Sequence, residues 1–415
     1  MTTPDTSCPV ETSAPPPTAE DAPQRNAWSS TGYNLPPTTD KPADGPLTPN
    51  PSPPTPTTAA TTTRPLSKTL THLYTLSYLV FFSIFGTLAR LGLQALTFYP
   101  DAPIVTGVLW ANVGGSLLMG FFLEDKNLFR EEWGHTAKDD DDAARHKSVK
   151  KTIPLYIGLT TGFCGSFTSF SSFIRDVFLA LTNALPNPST APSLIPPRNG
   201  GYSFMALLAV LISTVSLSLA ALIFGAHLAL ALDPLTPAVP FRLARRLLDP
   251  LGVLLGWGCW LGAVFLAIWP PDRHHAETET WRGRAVFAVV FAPLGCLLRY
   301  YVSLGLNARV PGFPLGTFAV NVFGTVVLAM CFDLQRVAGI GATVLTSCQV
   351  LEGVQDGFCG AATTVSTWVA ELNGLSRRRQ AYFYGIASVA VGLGFFVVIA
   401  GSLGWTRGFV EPICT

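Results

Sequence analysis

The sequence predicts an all-α membrane protein of nine transmembrane helices: two inverted four-helix repeats joined by one linker helix, with a broken third helix in each repeat. Three observations carry that prediction. Of 415 residues, 48% are hydrophobic and only 13% charged, with a mean hydropathy of +0.37, whereas a soluble domain carries about 25% charge. The apolar residues gather into runs long enough for a hydrocarbon core about 30 Å thick. A glycine- and hydroxyl-rich motif then interrupts those runs twice. Gly162-Phe163-Cys164-Gly165 leads to Thr168-Ser169-Phe170-Ser171-Ser172-Phe173, and Gly357-Phe358-Cys359-Gly360 leads to Thr363-Thr364-Val365-Ser366-Thr367-Trp368. Backbone that leaves a helix at membrane depth persists only where protein or a watery path satisfies it.

Taken in order, residues 1–65 hold 16 of the 34 prolines. Such a segment buries too little apolar surface to offset its ordering entropy and reads as a disordered tail. It lacks the charged-then-apolar pattern of a signal peptide, so the first spanning helix is expected to direct insertion. Spanning helices are predicted near 74–98, 103–123, 151–181 and 204–232, which form a first repeat over 66–232. A linker over 233–281 carries the fifth, near 251–269. The second repeat, 282–415, holds four more near 283–306, 313–333, 343–372 and 379–405. The eight cysteines are scattered and follow neither zinc nor disulfide spacing, so buried, inert thiols are expected. A net charge of +1 gives nucleic acid no purchase. The six histidines form no catalytic or metal cluster, and no Gly-Lys-Ser/Thr phosphate loop is present, so an enzyme is not expected.

The halves match in detail. Gly86-x-x-x-Arg90 recurs as Gly295-x-x-x-Arg299, and Asn112-Val113-x-Gly115 as Asn321-Val322-x-Gly324, 22 residues separating Arg from Asn in both copies. Three markers in one order point to internal duplication. A four-helix unit begins and ends on one side of the membrane, so a single linker helix turns the second copy over. Loops on the N-terminal side carry 16 Lys and Arg against 6 on the other. The positive-inside rule then predicts a cytosolic N-terminus and an extracellular C-terminus.

Polar residues inside the spans are the candidate site. An arginine near a helix centre costs about 2.5–3.5 kcal/mol to insert, so Arg90 and Arg299 are expected to face a cavity and draw an anion into a vestibule. Asn112 and Asn321 either glue helices through small neighbours or offer amide donors to an anion. At the breaks, carbonyls released from the ladder would suit a hard cation between the halves. Phe170 and Phe173 present positive ring edges, a weak attraction for anions. Ser213, Ser216 and Ser388 would extend a polar track. Asp176 and Glu371, three residues past the motif aromatics, read as structural partners of nearby groups. A coupled small-anion or cation carrier, or a membrane scaffold without transport, are the alternatives to a channel.

The pattern Gly-Phe-Cys-Gly-x-x-Thr-Thr-Phe-Ser-Thr-Phe, with its Gly-x-x-x-Arg and Asn-x-x-Gly companions upstream, resembles the Fluc (CrcB) fluoride channels, and two fused copies resemble their fungal fluoride exporter branch. The likeness covers about residues 74–405. It implies a passive fluoride-selective channel of the plasma membrane that exports cytosolic fluoride and confers resistance. The chain is then a monomer acting as a fused pseudo-dimer, with fluoride and membrane lipid as its partners. The resemblance implies a fluoride path along Asn112, Asn321, Phe170, Phe173, Ser171, Thr367, Arg90 and Arg299. It implies a structural Na+ held by the backbone carbonyls of Gly165, Thr168, Gly360 and Thr363. The second half departs from the pattern, with Val365 and Trp368 where the family has phenylalanines, so its two pores are expected to be unequal.

Overall fold

Apolar runs broken by prolines and glycines fold into helices, and among the described residues no strand forms. The computed structural model describes residues 68–104, 106–130, 149–189, 198–270, 282–337 and 339–414; the expectation for the N-terminal tail falls outside them. The first half contributes α1 (Lys68–Thr97), α2 (Leu109–Glu124), α3 (Phe170–Leu181) and α4 (Gly200–Ala231). The linker helix is α5 (Asp249–Ile268). The second half contributes α6 (Ala288–Leu306), α7 (Leu315–Gln335), α8 (Ser366–Gly374) and α9 (Arg378–Phe396).

Among the described residues, six helices are long and apolar enough to cross a membrane: α1, α4, α7 and the stretches Phe241–Ile268, Ala285–Leu306 and Arg378–Thr406. The other three predicted spans differ for local reasons. The second starts at Leu109 rather than near 103, because Pro103 and Gly107 disfavour a helix there, and its 16 residues reach only about 24 Å. The third and eighth are divided. Pro154–Ile157 widens into a π-helical stretch, Gly158–Cys164, and a last turn, Gly165–Phe167, before the chain breaks and restarts as α3. Leu345–Gly353, Val354–Cys359 and Gly360–Ala362 repeat that order before α8. A π-helical stretch at the same place in both copies fits its frequent use at functional positions.

The outer faces of α4, α5 and α9 carry exposed Ile212, Phe224, Leu254, Phe265, Phe383 and Ile386, a surface suited to lipid. The linker helix lies against α1 so closely that a side chain at Gly256 would meet the Ser77 carbonyl, and one at Gly252 the Tyr78 ring. Trp257 Nε1 donates to Ser77 Oγ at 3.0 Å and Trp260 Nε1 to the Val290 carbonyl at 2.9 Å. Tyr78 OH donates to Asp249 at 3.0 Å. The linker helix therefore ties the first helices of the two halves together.

Two expectations need correcting. Cys348 and Cys414 form a disulfide, because the chain end folds back over the end of α7, where Val410 N–H donates to the Arg336 carbonyl at 3.3 Å and the Phe409 ring meets Phe332 edge-on. No spacing rule announces a pair 66 residues apart. Ser216 is exposed on the outer face of α4, which turns Thr214 and Ser218 inward instead.

The α2–α4 pair is in backbone contact. A side chain at Gly120 would strike the Leu222 carbonyl, and one at Gly225 the Leu117 carbonyl. Overpacking such a contact costs about 1–3 kcal/mol. Gly225→Leu is expected to lower the thermal midpoint of the detergent-solubilised protein by several degrees, while Gly394→Leu, which has open space around it, leaves that midpoint unchanged.

Candidate functional site

The site is the place where the two helix breaks meet. Thr168 (φ −93°, ψ 153°) and Thr363 (φ −98°, ψ 152°) are both extended, so the ladder stops there and each backbone group needs another partner. The two asparagines supply part of the answer. Asn112 Oδ1 accepts the Ser169 N–H at 2.8 Å, and Asn321 Oδ1 accepts the Thr364 N–H at 2.9 Å. Their amides return bonds to the carbonyls of the same residues, at 3.4 Å to Ser169 and 3.2 Å to Thr364. Both asparagines are fully buried. They fasten each break to the preceding helix of its own half.

The threonines act across the halves. Thr363 Oγ1 accepts the Ser171 N–H at 3.0 Å at the start of α3, and Thr168 Oγ1 accepts the Ser366 N–H at 3.1 Å and the Val365 N–H at 3.2 Å at the start of α8. Ser171 Oγ lies 3.0 Å from Thr363 Oγ1 and donates to the Cys359 carbonyl at 3.3 Å. Ser366 Oγ donates to the Cys164 carbonyl at 3.1 Å. Each half thus caps a helix start of the other.

The arginines complete the exchange. Arg90 donates to the Ser166 carbonyl at 2.7 Å and to the Asp356 carbonyl. Arg299 donates to the Ala361 carbonyl at 2.9 Å and to the Thr161 carbonyl at 2.7 Å. Each arginine therefore bonds one carbonyl in its own half and one in the other. Neither faces a vestibule, contrary to expectation: both are buried, and the guanidiniums lie where side chains at Gly360 and Gly165 would otherwise be. Carbonyls left without ladder donors provide the stronger attraction.

The residues proposed for a cation fit the group. In an unbroken helix the Gly165 and Thr168 carbonyls would receive the N–H groups of Ser169 and Ser172. Those donors go to Asn112 and to Ser169 Oγ, the latter at 3.2 Å. The N–H groups owed to Gly360 and Thr363, from Thr364 and Thr367, go to Asn321 and to Thr364 Oγ1, the latter at 3.4 Å. All four oxygens have lost their helical donors, and carbonyl oxygens are hard ligands.

Phe170 and Phe173 are fully buried and meet edge-to-face at 5.7 Å. Phe170 also meets Trp368 edge-to-face at 5.3 Å and lies against Gly392 of α9. Thr367 is half-buried beside Thr364 Oγ1, 3.5 Å away. Ser388 is buried but its hydroxyl bonds back to the Tyr384 carbonyl at 2.7 Å. Trp368 is 1% exposed, and its indole N–H has no partner among the described residues. Leaving a buried donor unpaired costs about 1–3 kcal/mol.

Sequence reasoning left one cluster unassembled. Thr317 Oγ1 and Tyr384 OH each donate to Glu371 at 2.7 Å, and Asn307 Nδ2 at 3.4 Å. These donors come from three separate helices or their ends, so only a three-dimensional alignment reveals them. Among the described residues Asp176 has no like cluster; it pairs with the adjacent Arg175 at 3.6 Å and with the Val108 backbone.

Comparison with known proteins adds a family. The model described as CrcB-like protein, Camphor Resistance (CrcB), matches residues 77–226 and again 286–402. The chain is 58% identical over 372 residues to Fluoride export protein 1 of Neurospora crassa, covering 84% of this chain and 70% of that protein. It is 36% identical to Fluoride export protein 1 of Candida albicans, covering 84% of each. A shorter bacterial relative, Fluoride-specific ion channel FluC of Chlorobium luteolum, matches 26% of this chain and 78% of its own length at 29% identity. No solved structure matches the chain.

Removing the cross-half cap tests this geometry. Thr168→Val deletes the acceptor of two helix-start N–H groups, and the cost is about 1–3 kcal/mol. A thermal midpoint lowered by several degrees is expected, with Thr168→Ser close to the parent protein.

Proposed function

The chain belongs to the CrcB-like family, and from that membership we propose that it is a passive, fluoride-selective channel of the plasma membrane that exports cytosolic fluoride. The observation that carries this reading is the reciprocal capping of α3 and α8 at the paired breaks. Two helix starts, each with partial positive charge, converge with hydroxyls and ring edges at one buried place. Fluoride is small, hard and strongly hydrated, so compact donors must offset its dehydration. The names of the relatives, fluoride exporters and a fluoride-specific ion channel, support the same ion.

Two inverted four-helix repeats joined by α5, nine spans in all, best explain the pattern. Arg90 bonds the Ser166 and Asp356 carbonyls and Arg299 their counterparts in the opposite halves, Ala361 and Thr161, the exchange a pseudo-two-fold axis produces. The disulfide supports the orientation, since such bonds persist in oxidising surroundings. Its side of the membrane is the side poor in Lys and Arg, so the C-terminus is extracellular and the N-terminus cytosolic. A cytosolic anion is then driven outward by the membrane potential at about 2.3 kcal/mol per charge per 100 mV, with no need of ATP.

The two paths are unequal. α2 and α4 are zipped together at Gly120 and Gly225, which leaves little room beside α8. On the other side α3 lies between α7 and α9, with Phe170 against Gly392 and Trp368 opposite. The conducting path runs along α3, α7 and α9. The carbonyls of Gly165, Thr168, Gly360 and Thr363 would hold a structural Na+, whose charge would attract the four carbonyl dipoles of the two breaks.

Liposomes holding the purified protein are expected to release fluoride and retain chloride, and Phe170→Ile is expected to slow that release about tenfold or more. Vesicles that stay fluoride-tight would sink the channel reading. Replacing sodium with N-methyl-D-glucamine throughout purification is expected to lower the thermal midpoint; an unchanged midpoint argues against the cation. On intact cells, a membrane-impermeant maleimide is expected to label Cys414 in Cys348→Ser and to leave the parent protein unlabelled. Labelling only after permeabilisation would reverse the orientation.

A further inference from the structure

The break motif uses nearly all of its own donors. Ser169, Ser171, Thr363, Thr364 and Ser366 are bonded to each other or to the backbone, and both asparagines hold the breaks. The motif's exceptions among the described residues are the Ser166 hydroxyl, which lies beside the buried Cys296 thiol, and the Trp368 indole; only Trp368 stands against Phe170. Its ring is buried in the same cluster, its N–H has no partner among the described residues, and its position in the motif is filled in the first half by Phe173, a residue without a donor. The N–H side of the ring is turned toward α9: Trp368 Cζ2, bonded to the carbon that carries Nε1, lies 3.9 Å from where a side chain at Gly385 would begin. Phe170 stands opposite at 5.3 Å, with the two ring planes at 70°.

Buried tryptophan N–H groups normally find an acceptor. Here no acceptor stands among the described residues, and the ring lies between Phe170 of α3 and Gly385 of α9. We infer that the Trp368 indole N–H is a fluoride ligand, a donor subsite in the conducting path facing the Phe170 ring. The inference rests on the channel reading and deepens it. A phenyl edge attracts an anion weakly, whereas an N–H aimed at a desolvated anion makes a charge-assisted hydrogen bond. This subsite gives the second half a stronger contact with the ion at the place where it departs from the family's phenylalanine.

The decisive experiment removes the N–H and keeps the ring. Trp368 is replaced by 3-benzothienylalanine, in which sulfur stands for the N–H group, and by Trp368→Phe. Fluoride efflux from liposomes is measured with chloride as control, and monodispersity in detergent reports folding. Losing a charge-assisted bond is expected to slow fluoride release about tenfold in the benzothienyl protein. Release at the parent rate from that protein overturns the subsite, as it would if a water molecule alone satisfied the indole. A second readout does not depend on flux. Fluoride, and not chloride, is expected to shift the tryptophan absorbance of the parent protein, with the shift lost in Trp368→Phe. If the parent vesicles prove fluoride-tight while that shift persists, the channel reading fails and the subsite stands. If the shift is the same in Trp368→Phe, the subsite fails whatever the flux.

Discussion

Everything in this molecule depends on a backbone that stops being helical inside an apolar environment. A bilayer offers no water to a released N–H or carbonyl, so each must be satisfied by protein. Neither half can do this alone. The helix start at Ser171 relies on Thr363, and the one at Ser366 relies on Thr168. Asn112 and Asn321 hold each break from its own side. The two halves are thus joined by backbone satisfaction as much as by apolar packing.

The arginines follow from the same constraint. A guanidinium deep in a membrane protein is expensive unless its donors are met. Arg90 and Arg299 meet most of that requirement with carbonyls at the breaks, Ser166 and Ala361, and in the π-helical stretches before them, Asp356 and Thr161, one from each half. Two liabilities, a buried cation and exposed carbonyls, offset one another. The glycines at Gly165 and Gly360 make room for it, since a side chain at either would occupy the guanidinium's place.

Duplication did not leave the halves equal. The first half closes α2 on α4 through glycine contacts, whereas in the second half Gly392 of α9 receives Phe170 and Ile174 from α3. Among the described residues the Glu371 cluster belongs to the second half alone. So does the Cys348–Cys414 disulfide, which ties the chain end to the lead-in of the broken helix. A common frame therefore carries close backbone contact between α2 and α4 on one side and the Phe170 ring seated against Gly392 of α9 on the other.

Much of this was legible in the one-dimensional chain. Hydropathy and the charge deficit identified a helical membrane protein, because burial in lipid demands long apolar runs. The paired Gly-Phe-Cys-Gly motifs located both breaks and, with Arg90, Arg299, Asn112 and Asn321, named the residues that gather there. Their partners were not legible. Whether Arg90 faces water or a carbonyl, whether Thr168 caps its own helix or its neighbour's, and whether Cys348 meets Cys414 all turn on which surfaces come together between residues far apart in the chain. Hydropathy and spacing register what a residue is and how far along the chain it stands. The direction of a side chain and the atom it meets are set by packing between helices, and that only the tertiary structure decided.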